Sequence, residues 1–307
     1  MTDAPPAAGL TIDGDSWGVA WHLELAGSLL IPGTLVDGLV RIRSAKPVAA
    51  RALVVGLVGV EHWRHREQRT DAQGHTTTEV MRSTAEPIRE PVTVVAPVTV
   101  GSGEVLERRF QLPVPPIGPA SLDAEDAGMT WTVEAKLDVE GGFDSRVEAP
   151  VIVAQPTALL RAGAVQLGEL ALYDEAEAAA DGVTASLRLA PMPLVCGEPF
   201  TATLELHTPG PARLQEIRAE LRVQVEATVS QGEHESITAW QRSVAPEGEI
   251  SGSRTVEIQG RLPARPLPSI ELAHGRTSAT FHVILARAWA IDTHLVRDVA
   301  IATTREV

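Results

Sequence analysis

Cysteine and long apolar runs are what this chain most clearly lacks. Cys196 is the only cysteine among 307 residues, so no internal disulfide can form and a disulfide-stabilised scaffold is excluded. No segment approaches the ~20 uninterrupted apolar residues that span a bilayer. Residues 1–9 have neither the basic nor the apolar region of a signal peptide. We therefore expect a cytoplasmic protein that does not insert directly into membranes.

Positive charge is scarce as well. The chain has 26 basic and 40 acidic residues and a formal net charge of −14 at pH 7, and its only lysines are Lys46 and Lys136. Nucleic acids and anionic membrane surfaces bind proteins through basic patches that neutralise phosphate. The composition argues against both, and we expect no nucleic-acid partner.

Signatures of catalysis and of cofactor binding are also missing. The sequence contains no Gly-x-Ser-x-Gly elbow, no Gly-x-x-x-x-Gly-Lys-Ser/Thr loop and no Gly-x-Gly-x-x-Gly fingerprint. His62 and His65 are three residues apart in a strand-like segment, which sends their side chains to opposite faces. We predict no catalytic residue, no metal site and no cofactor. The alternative is an enzyme with an unmarked active site in the inter-domain cleft.

What the chain does contain is an internal repeat. From Val19 to Leu57 the second half matches the first at an offset of 164 residues without a gap, and after a loop the match resumes at an offset of 150. A repeat near 150 residues is too long for a solenoid unit. It predicts two tandem domains, residues 1–155 and 156–307. The matched segments include Val19–Leu25 with Val183–Leu189, Leu30–Gly33 with Leu194–Gly197, and Leu112–Pro113 with Leu262–Pro263.

Apolar and polar residues alternate in both halves, for example along Trp131–Val139 and Val183–Leu189. This period of two is typical of half-buried antiparallel strands, and Gly/Pro turns separate the segments. The pattern predicts an all-β chain of two tandem antiparallel β-sandwich domains of immunoglobulin-like type. Pro156 ends the last strand of the first domain, so the linker is expected to be short. The acidic, alanine-rich run Asp174–Asp181 is predicted to be a solvated loop.

The two halves differ most at residues 62–104 and 228–254, and binding specificity usually lies in such divergent loops. Arg64, Arg66 and Arg69 form a basic spot in the first of these insertions. Because arginine pairs bidentately with carboxylate and phosphate, the spot is a candidate anchor for an acidic or phosphorylated partner segment. The alternative is an exposed hairpin of mixed charge in which neighbouring acidic residues pair with these arginines.

The tryptophans fall into two groups. Trp21, Trp131 and Trp289 follow the strand alternation and are predicted to pack in the core. Trp63 and Trp240 lie near the divergent insertions and are candidates for exposed contacts with a partner.

Both halves also carry a series of motifs in the same order. In the first half they are Leu30-Ile-Pro-Gly33, Leu57-Val-Gly-Val-Glu61, Phe110-Gln-Leu-Pro113, Pro119-Ala-Ser121 and the strand Trp131–Val139. In the second half they are Val195-Cys-Gly-Glu-Pro-Phe200, Gly260-Arg-Leu-Pro263, Leu267-Pro-Ser269 and Phe281-His-Val-Ile284. This series resembles the N- and C-domains of the arrestin-like superfamily, over about residues 10–303.

The resemblance implies two arrestin-type β-sandwiches joined by a short hinge, and an adaptor function. The paired lysines that sense phosphate in arrestins are missing, and Tyr173, the only tyrosine, is not in a Pro-Pro-x-Tyr motif. A prokaryotic arrestin-like protein is therefore the best match. We expect a non-catalytic adaptor or scaffold that binds protein partners, such as a membrane or signalling protein. The partner proteins would bind at sheet edges, in the inter-domain groove and at hairpin loops. The further alternative is a structural protein that self-associates.

Overall fold

The structure is a computed structural model that describes residues 9–163, 175–180, 183–286 and 292–305. Within these residues the chain is all-β, since strands form nearly all of the regular structure and α1 (Thr157–Gly163) is the one helix. The predicted all-β class is therefore confirmed. Trp289, which was predicted to lie in the core, falls outside the described residues.

The strands are numbered in chain order. Those that precede α1 are β1 (Leu10–Ser16), β2 (Val19–Leu25), β3 (Leu29–Leu30), β4 (Leu35–Ser44), β5 (Val48–Thr70), β6 (Thr76–Thr84), β7 (Ile88–Val95), β8 (Val98–Val100), β9 (Val105–Pro113), β10 (Ala127–Val139) and β11 (Ser145–Val153). Those that follow it are β12 (Glu175–Ala180), β13 (Val183–Ala190), β14 (Leu194–Val195), β15 (Pro199–Leu214), β16 (Glu216–Ala227), β17 (His234–Ala245), β18 (Gly248–Arg261), β19 (Gly275–Ala286), β20 (Thr293–Val299) and β21 (Ile301–Ala302).

Contacts divide the chain into two compact units. The first consists of Met1–His62, Thr84–Ser121 and Met129–Ala154; the second consists of Trp63–Ser83, Leu122–Gly128 and Gln155–Val307. The sequence-based division assigned residues 63–83 and 122–128 to the first domain. They belong to the second unit because their backbones bond to it, as when Asp123 N–H donates to Pro266 O (3.0 Å).

The first unit is built on two sheets, one in the order β1-β2-β4-β9 and one in which β3, β11, β10 and β5 follow each other. The pairs β1–β2, β2–β4, β4–β9 and β10–β11 are antiparallel, and the short pair β3–β11 is parallel. Alternate residues point into the core, so Leu23 and Val133 are both fully buried. Trp21 and Trp131, 3% and 4% exposed, pack in this core as predicted.

The second unit uses the sheets β12-β13-β15-β18 and β17-β16-β19-β20, with a short parallel pair β14–β21. Its core contains an aromatic cluster of Phe200, Trp240 and Phe281. Phe200 meets the ring of Trp240 edge-on at 5.1 Å and that of Phe281 at 5.8 Å, while Trp240 and Phe281 stack at 6.1 Å.

Strand pairing in the two units follows the sequence offset of 164 residues. Leu25 of β2 pairs with Gly38 of β4, and Leu189 of β13 pairs with Ala202 of β15. Each number in the second pair is higher by 164. Since a shift of one residue would turn every side chain to the other face, equal registers preserve the same buried face in both units.

The strand β12 lies where the sequence predicted a loop, and that prediction was wrong. Glu175–Ala180 lie in the run that was predicted to be a solvated loop, but they pair antiparallel with β13. Their register reproduces that of β1 on β2, because Thr11 pairs with Glu24 and Glu175 pairs with Arg188. Pairing with a neighbouring strand overrides the weak strand propensity of glutamate and alanine.

The serines of Pro119-Ala-Ser121 and Leu267-Pro-Ser269 form equivalent hydrogen bonds. Ser121 and Ser269 are 4% and 5% exposed. The Ser121 hydroxyl accepts from Val153 N–H (2.9 Å) and the Ser269 hydroxyl accepts from Ile301 N–H (3.0 Å). Each serine N–H donates in return to the carbonyl of the same partner. These reciprocal bonds satisfy buried backbone groups of the closing strands.

A histidine lies between two carboxylates on the polar face of the sheet β1-β2-β4-β9. The ring nitrogens of His22 lie 2.6 Å from Asp13 Oδ1 and 2.6 Å from Glu24 Oε1. Arg41 contacts the same Glu24 carboxylate at 3.3 Å. The hydrogen bonds with Asp13 and then Glu24 raise the pKa of His22 above its ordinary value.

This raised pKa predicts a pH-dependent contribution of His22 to stability. A histidine whose pKa is higher in the folded protein stabilises it fully below the ordinary value, about 6.5, and loses that contribution as the pH rises through the folded value. We expect the difference in free energy of unfolding between the wild type and His22→Gln to shrink as the pH rises from about 6 to about 9. Denaturant unfolding across this range measures it. A difference that stays constant with pH would contradict the prediction.

Candidate functional site

The end of β5 and all of β6 except Thr84 form a two-stranded ribbon, residues 63–83, that belongs to the second unit. Its backbone pairs with the turn between β16 and β17. Arg66 N–H donates to Gln231 O (2.9 Å), Glu233 N–H donates to Arg64 O (2.9 Å), and His65 forms an antiparallel bridge with Gly232. The ribbon is therefore attached to the second unit along one edge.

The sequence of this turn explains its shape. Gly232 N–H donates to Val229 O (3.0 Å), which closes the turn, and Gln231 has a φ of 56°. A Cβ on Gly232 would lie 2.1 Å from Ala227 O, closer than any side chain tolerates. Glycine is thus required where the turn approaches the end of β16.

Arg64 connects the ribbon to the segment before β10. Its Nη1 donates to the Glu125 carboxylate and to Asp126 Oδ1, the latter at 3.2 Å. The two backbones meet as well, since Arg64 N–H donates to Asp126 O (2.8 Å). Glu235 Oε1 accepts from the N–H groups of Glu125 (2.6 Å) and Asp126 (3.3 Å).

Asp126 is the most buried acid of this group, at 6% exposure. Burial, and then the negative charge of Glu235, raise the pKa of its carboxyl, whereas the positive charge of Arg64 lowers it. Arg64 therefore holds together a set of carboxylates that would otherwise repel each other.

Arg66 forms a bidentate pair with Glu233 across the ribbon and the turn. Its Nε lies 2.5 Å from Glu233 Oε1 and its Nη2 lies 3.4 Å from Oε2. The Glu233 side chain is 17% exposed, but that of Arg66 is 60% exposed, so part of the guanidinium faces solvent. Arg69 lies further along the ribbon, where its guanidinium contacts Glu67 at 3.5 Å and both side chains are exposed.

A groove of about 390 Å³ opens beside the Arg66–Glu233 pair. We call it the ribbon groove. The ribbon supplies one wall and the β16–β17 turn supplies the other. Its lining residues are Arg66, Gln68, Thr78, Gln231, Gly232, Glu233 and His234.

Of the residues predicted to contact a partner, the structure brings only Arg66 to this groove. Arg64 lies in an ion-pair cluster with Glu125 and Asp126, and Arg69 lies on the exposed part of the ribbon. Trp63 stacks on His274 with ring centroids 3.9 Å apart, and Trp240 belongs to the aromatic cluster. Both tryptophans are half-buried instead of exposed. A role of these five residues in partner binding stays a prediction.

The other wall of the groove, Gln231–His234, and the acidic residues around Arg64 are not predicted from the sequence. The sequence could have indicated these groove residues only through their position in the second divergent insertion, 228–254. That insertion was identified as variable, but nothing in the sequence indicates that it lies against the first one.

In the described part of the chain, no cluster of three or more His, Cys, Asp or Glu side chains is placed to hold a metal ion. Burial raises the pKa of the Cys196 thiol, which disfavours the nucleophilic thiolate. Among the described residues, no helix has the length and apolar character to cross a membrane.

Comparison with known proteins finds no protein family whose model matches this chain and no curated protein that matches it.

Proposed function

We propose that this chain is a non-catalytic adaptor whose ribbon groove binds an extended segment of a partner protein. We also propose that its two units are immunoglobulin-like β-sandwiches of the arrestin type. This assignment is supported by the two sheets with buried faces in each unit, by the equal registers and by the equivalent hydrogen bonds of Ser121 and Ser269.

The observation that carries the proposed function is the backbone geometry at the groove. In a strand, alternate residues direct their N–H and C=O groups to the same side. Arg66 N–H points at Gln231, so the backbone groups of Gln68 point the same way. The opposing chain turns away at Val229–Gly232, and Gln68 lines the groove beyond it. An extended partner segment can continue the ladder there.

The side chains of the groove favour a partner segment with an acidic group. Arg66 presents the exposed part of its guanidinium, and Gln68, Thr78 and His234 add polar atoms. A carboxylate or phosphate that enters the groove would share Arg66 with Glu233 through charge-assisted hydrogen bonds. We therefore expect Arg66 to contribute to affinity and Gln68 to direct the register.

Site-specific photo-cross-linking in the native host tests this function. A photoreactive residue at Gln68 is expected to cross-link a partner protein, and the same residue at Arg108, an exposed position of β9, is not. In the Gln68 background, Arg66→Glu should reduce the product at least tenfold, because it reverses the charge that meets the acidic segment.

Arg213→Glu is the matched control. Arg213 is exposed and pairs with Glu247 at 2.5 Å, as Arg66 pairs with Glu233, but it lies outside the groove. Equal loss of product in both variants, or no product from Gln68, would contradict the proposal. A product that contains only a second copy of this chain would favour the self-associating structural protein instead.

A further inference from the structure

Two aromatic side chains stack on each other at the surface of the first unit. Trp17 is 70% exposed and Phe143 is 72% exposed, and their rings lie nearly parallel, at 11°, with centroids 4.6 Å apart. The other tryptophan and phenylalanine side chains in the described part of the chain are buried or half-buried. We call Trp17 and Phe143 the aromatic pair.

The backbone at Trp17 makes its exposure more unusual. Trp17 and Gly18 form the two-residue turn between β1 and β2, with φ values of 54° and 77°. Such a turn favours Asn-Gly, and a bulky residue with positive φ is disfavoured there. Local conformation and solvation therefore both oppose tryptophan at this position. A residue that breaks two local rules at the surface is a candidate for function.

Hydrogen bonds hold the two turns in place. Ser145, 1% exposed, donates from Oγ to Ser16 O (2.6 Å) and accepts from Trp21 Nε1 (2.8 Å). Arg146 N–H donates to Ser16 Oγ (3.3 Å). On the other turn, Asp144 accepts from Val139 N–H (3.2 Å). The aromatic pair is thus a preorganised platform, which reduces the entropy lost when a ligand binds.

The charge around this platform is negative. The segments that carry the pair, residues 13–18 and 138–146, contain five carboxylates and one arginine. Three of these carboxylates already face a basic side chain, since Asp144 pairs with Lys136 at 2.7 Å, Asp138 with Arg51 at 2.6 Å and Asp13 with His22 at 2.6 Å. Asp15, two residues before Trp17, and Glu140, three before Phe143, are exposed. A cationic ligand is favoured here, and an anionic lipid surface is not.

We propose that the aromatic pair and the carboxylates of Asp15 and Glu140 bind an arginine of a basic segment in a partner protein. A guanidinium is planar and stacks on an aromatic face, where the negative face of the ring attracts the positive charge. The outer faces of the two rings offer such a surface, and the carboxylates of Asp15 and Glu140, two and three residues away in sequence, supply hydrogen-bond acceptors. This site is independent of the ribbon groove and takes a ligand of opposite charge.

Peptide binding to the full-length protein tests the proposal. The probe is fluorescein-labelled Gly-Arg-Gly-Arg-Gly with an amidated C-terminus, and fluorescence anisotropy measures its dissociation constant. Matched peptides carry lysine or the neutral isostere citrulline in place of arginine. We expect the arginine peptide to bind best, the lysine peptide several-fold more weakly, and the citrulline peptide to lose binding.

Variants distinguish binding at the aromatic pair from nonspecific attraction of the basic peptide to an acidic chain. Trp17→Asn is expected to weaken binding of the arginine peptide at least tenfold and to remain folded, because Asn-Gly suits the turn. Ile117→Ala, which truncates an apolar side chain that is 89% exposed on the same unit, should leave binding unchanged. Equal binding by the wild type and Trp17→Asn, or no binding by the wild type, would overturn the proposal.

A membrane is the competing ligand, since exposed tryptophan also suits the bilayer interface. In sedimentation with phosphatidylcholine vesicles, with and without phosphatidylglycerol, we expect equal fractions of the wild type and of Trp17→Asn in the vesicle pellet. Vesicle binding that depends on Trp17, together with no preference for the arginine peptide, would replace the partner protein with a lipid surface.

Discussion

Replacing Phe281 with alanine is expected to lower the free energy of unfolding of the second unit by about 4 kcal/mol, the usual cost of truncating a buried phenylalanine. Phe281 is fully buried and packs against both Phe200 and Trp240. It also pairs with Leu221 in the middle of the sheet β17-β16-β19-β20, where neighbouring strands restrict any collapse into the cavity. Denaturant unfolding followed by tryptophan fluorescence measures the loss.

Two controls make this prediction specific. Phe281→Leu keeps most of the volume and should cost less than half as much. Phe143→Ala removes the same atoms from a side chain that is 72% exposed and should cost less than about 1 kcal/mol. If Phe281→Ala and Phe143→Ala destabilised the protein equally, the aromatic cluster would not be a core element.

The strands of this fold are largely predictable from alternation. Leu187 in β13 and Val133 in β10 follow the period of two and are fully buried, because one face of each strand must leave water. The strand β12 is different, since Glu175–Ala180 consist of glutamate and alanine, which have low strand propensity. The repeat offset, which places this segment over β1, could have indicated a strand there.

Because of a β-bulge, the alternation of apolar and polar residues does not predict the orientation of the Trp240 side chain. Leu221 pairs with Trp240, but Arg222 pairs with Thr238, so β17 contains one extra residue at Ala239. A bulge shifts the phase of the pattern and redirects the side chains beyond it. Trp240 consequently packs against Phe200 and Phe281, although its place near a divergent insertion suggested an exposed contact.

In the candidate site, the sequence indicates some of the residues but not the distant residues with which they pair. Arg64 and Arg66 could be selected from sequence because basic residues are uncommon in an acidic chain. Their partners could not, since Glu125 lies 61 residues after Arg64 and Glu233 lies 167 residues after Arg66. Among the acidic residues of the same hairpin, Glu67 contacts Arg69, at 3.5 Å. Tertiary folding decides the remaining pairs.

The second large loss of stability is expected in the ion-pair cluster. Arg64→Ala is expected to lower the free energy of unfolding by about 2 kcal/mol at neutral pH, because it leaves buried Asp126 beside other carboxylates without its cation. Arg64 N–H would still bond to Asp126 O, so the backbone pairing should persist. Arg213→Ala, which removes an exposed arginine paired with Glu247, should cost less than about 1 kcal/mol.

The loss in Arg64→Ala should depend on pH with a definite sign. Burial and Glu235 already raise the pKa of Asp126, and removal of Arg64 takes away the charge that lowers it. A carboxyl with a raised pKa in the folded protein favours folding when it is protonated, and this contribution is lost as the pH rises through the folded value. The variant should therefore approach wild-type stability as the pH falls from about 8 to about 4. Adding Asp126→Asn to Arg64→Ala should restore most of the stability at neutral pH and flatten the pH profile. A deficit that is the same at every pH, or that Asp126→Asn does not reduce, would mean that Arg64 acts through packing alone.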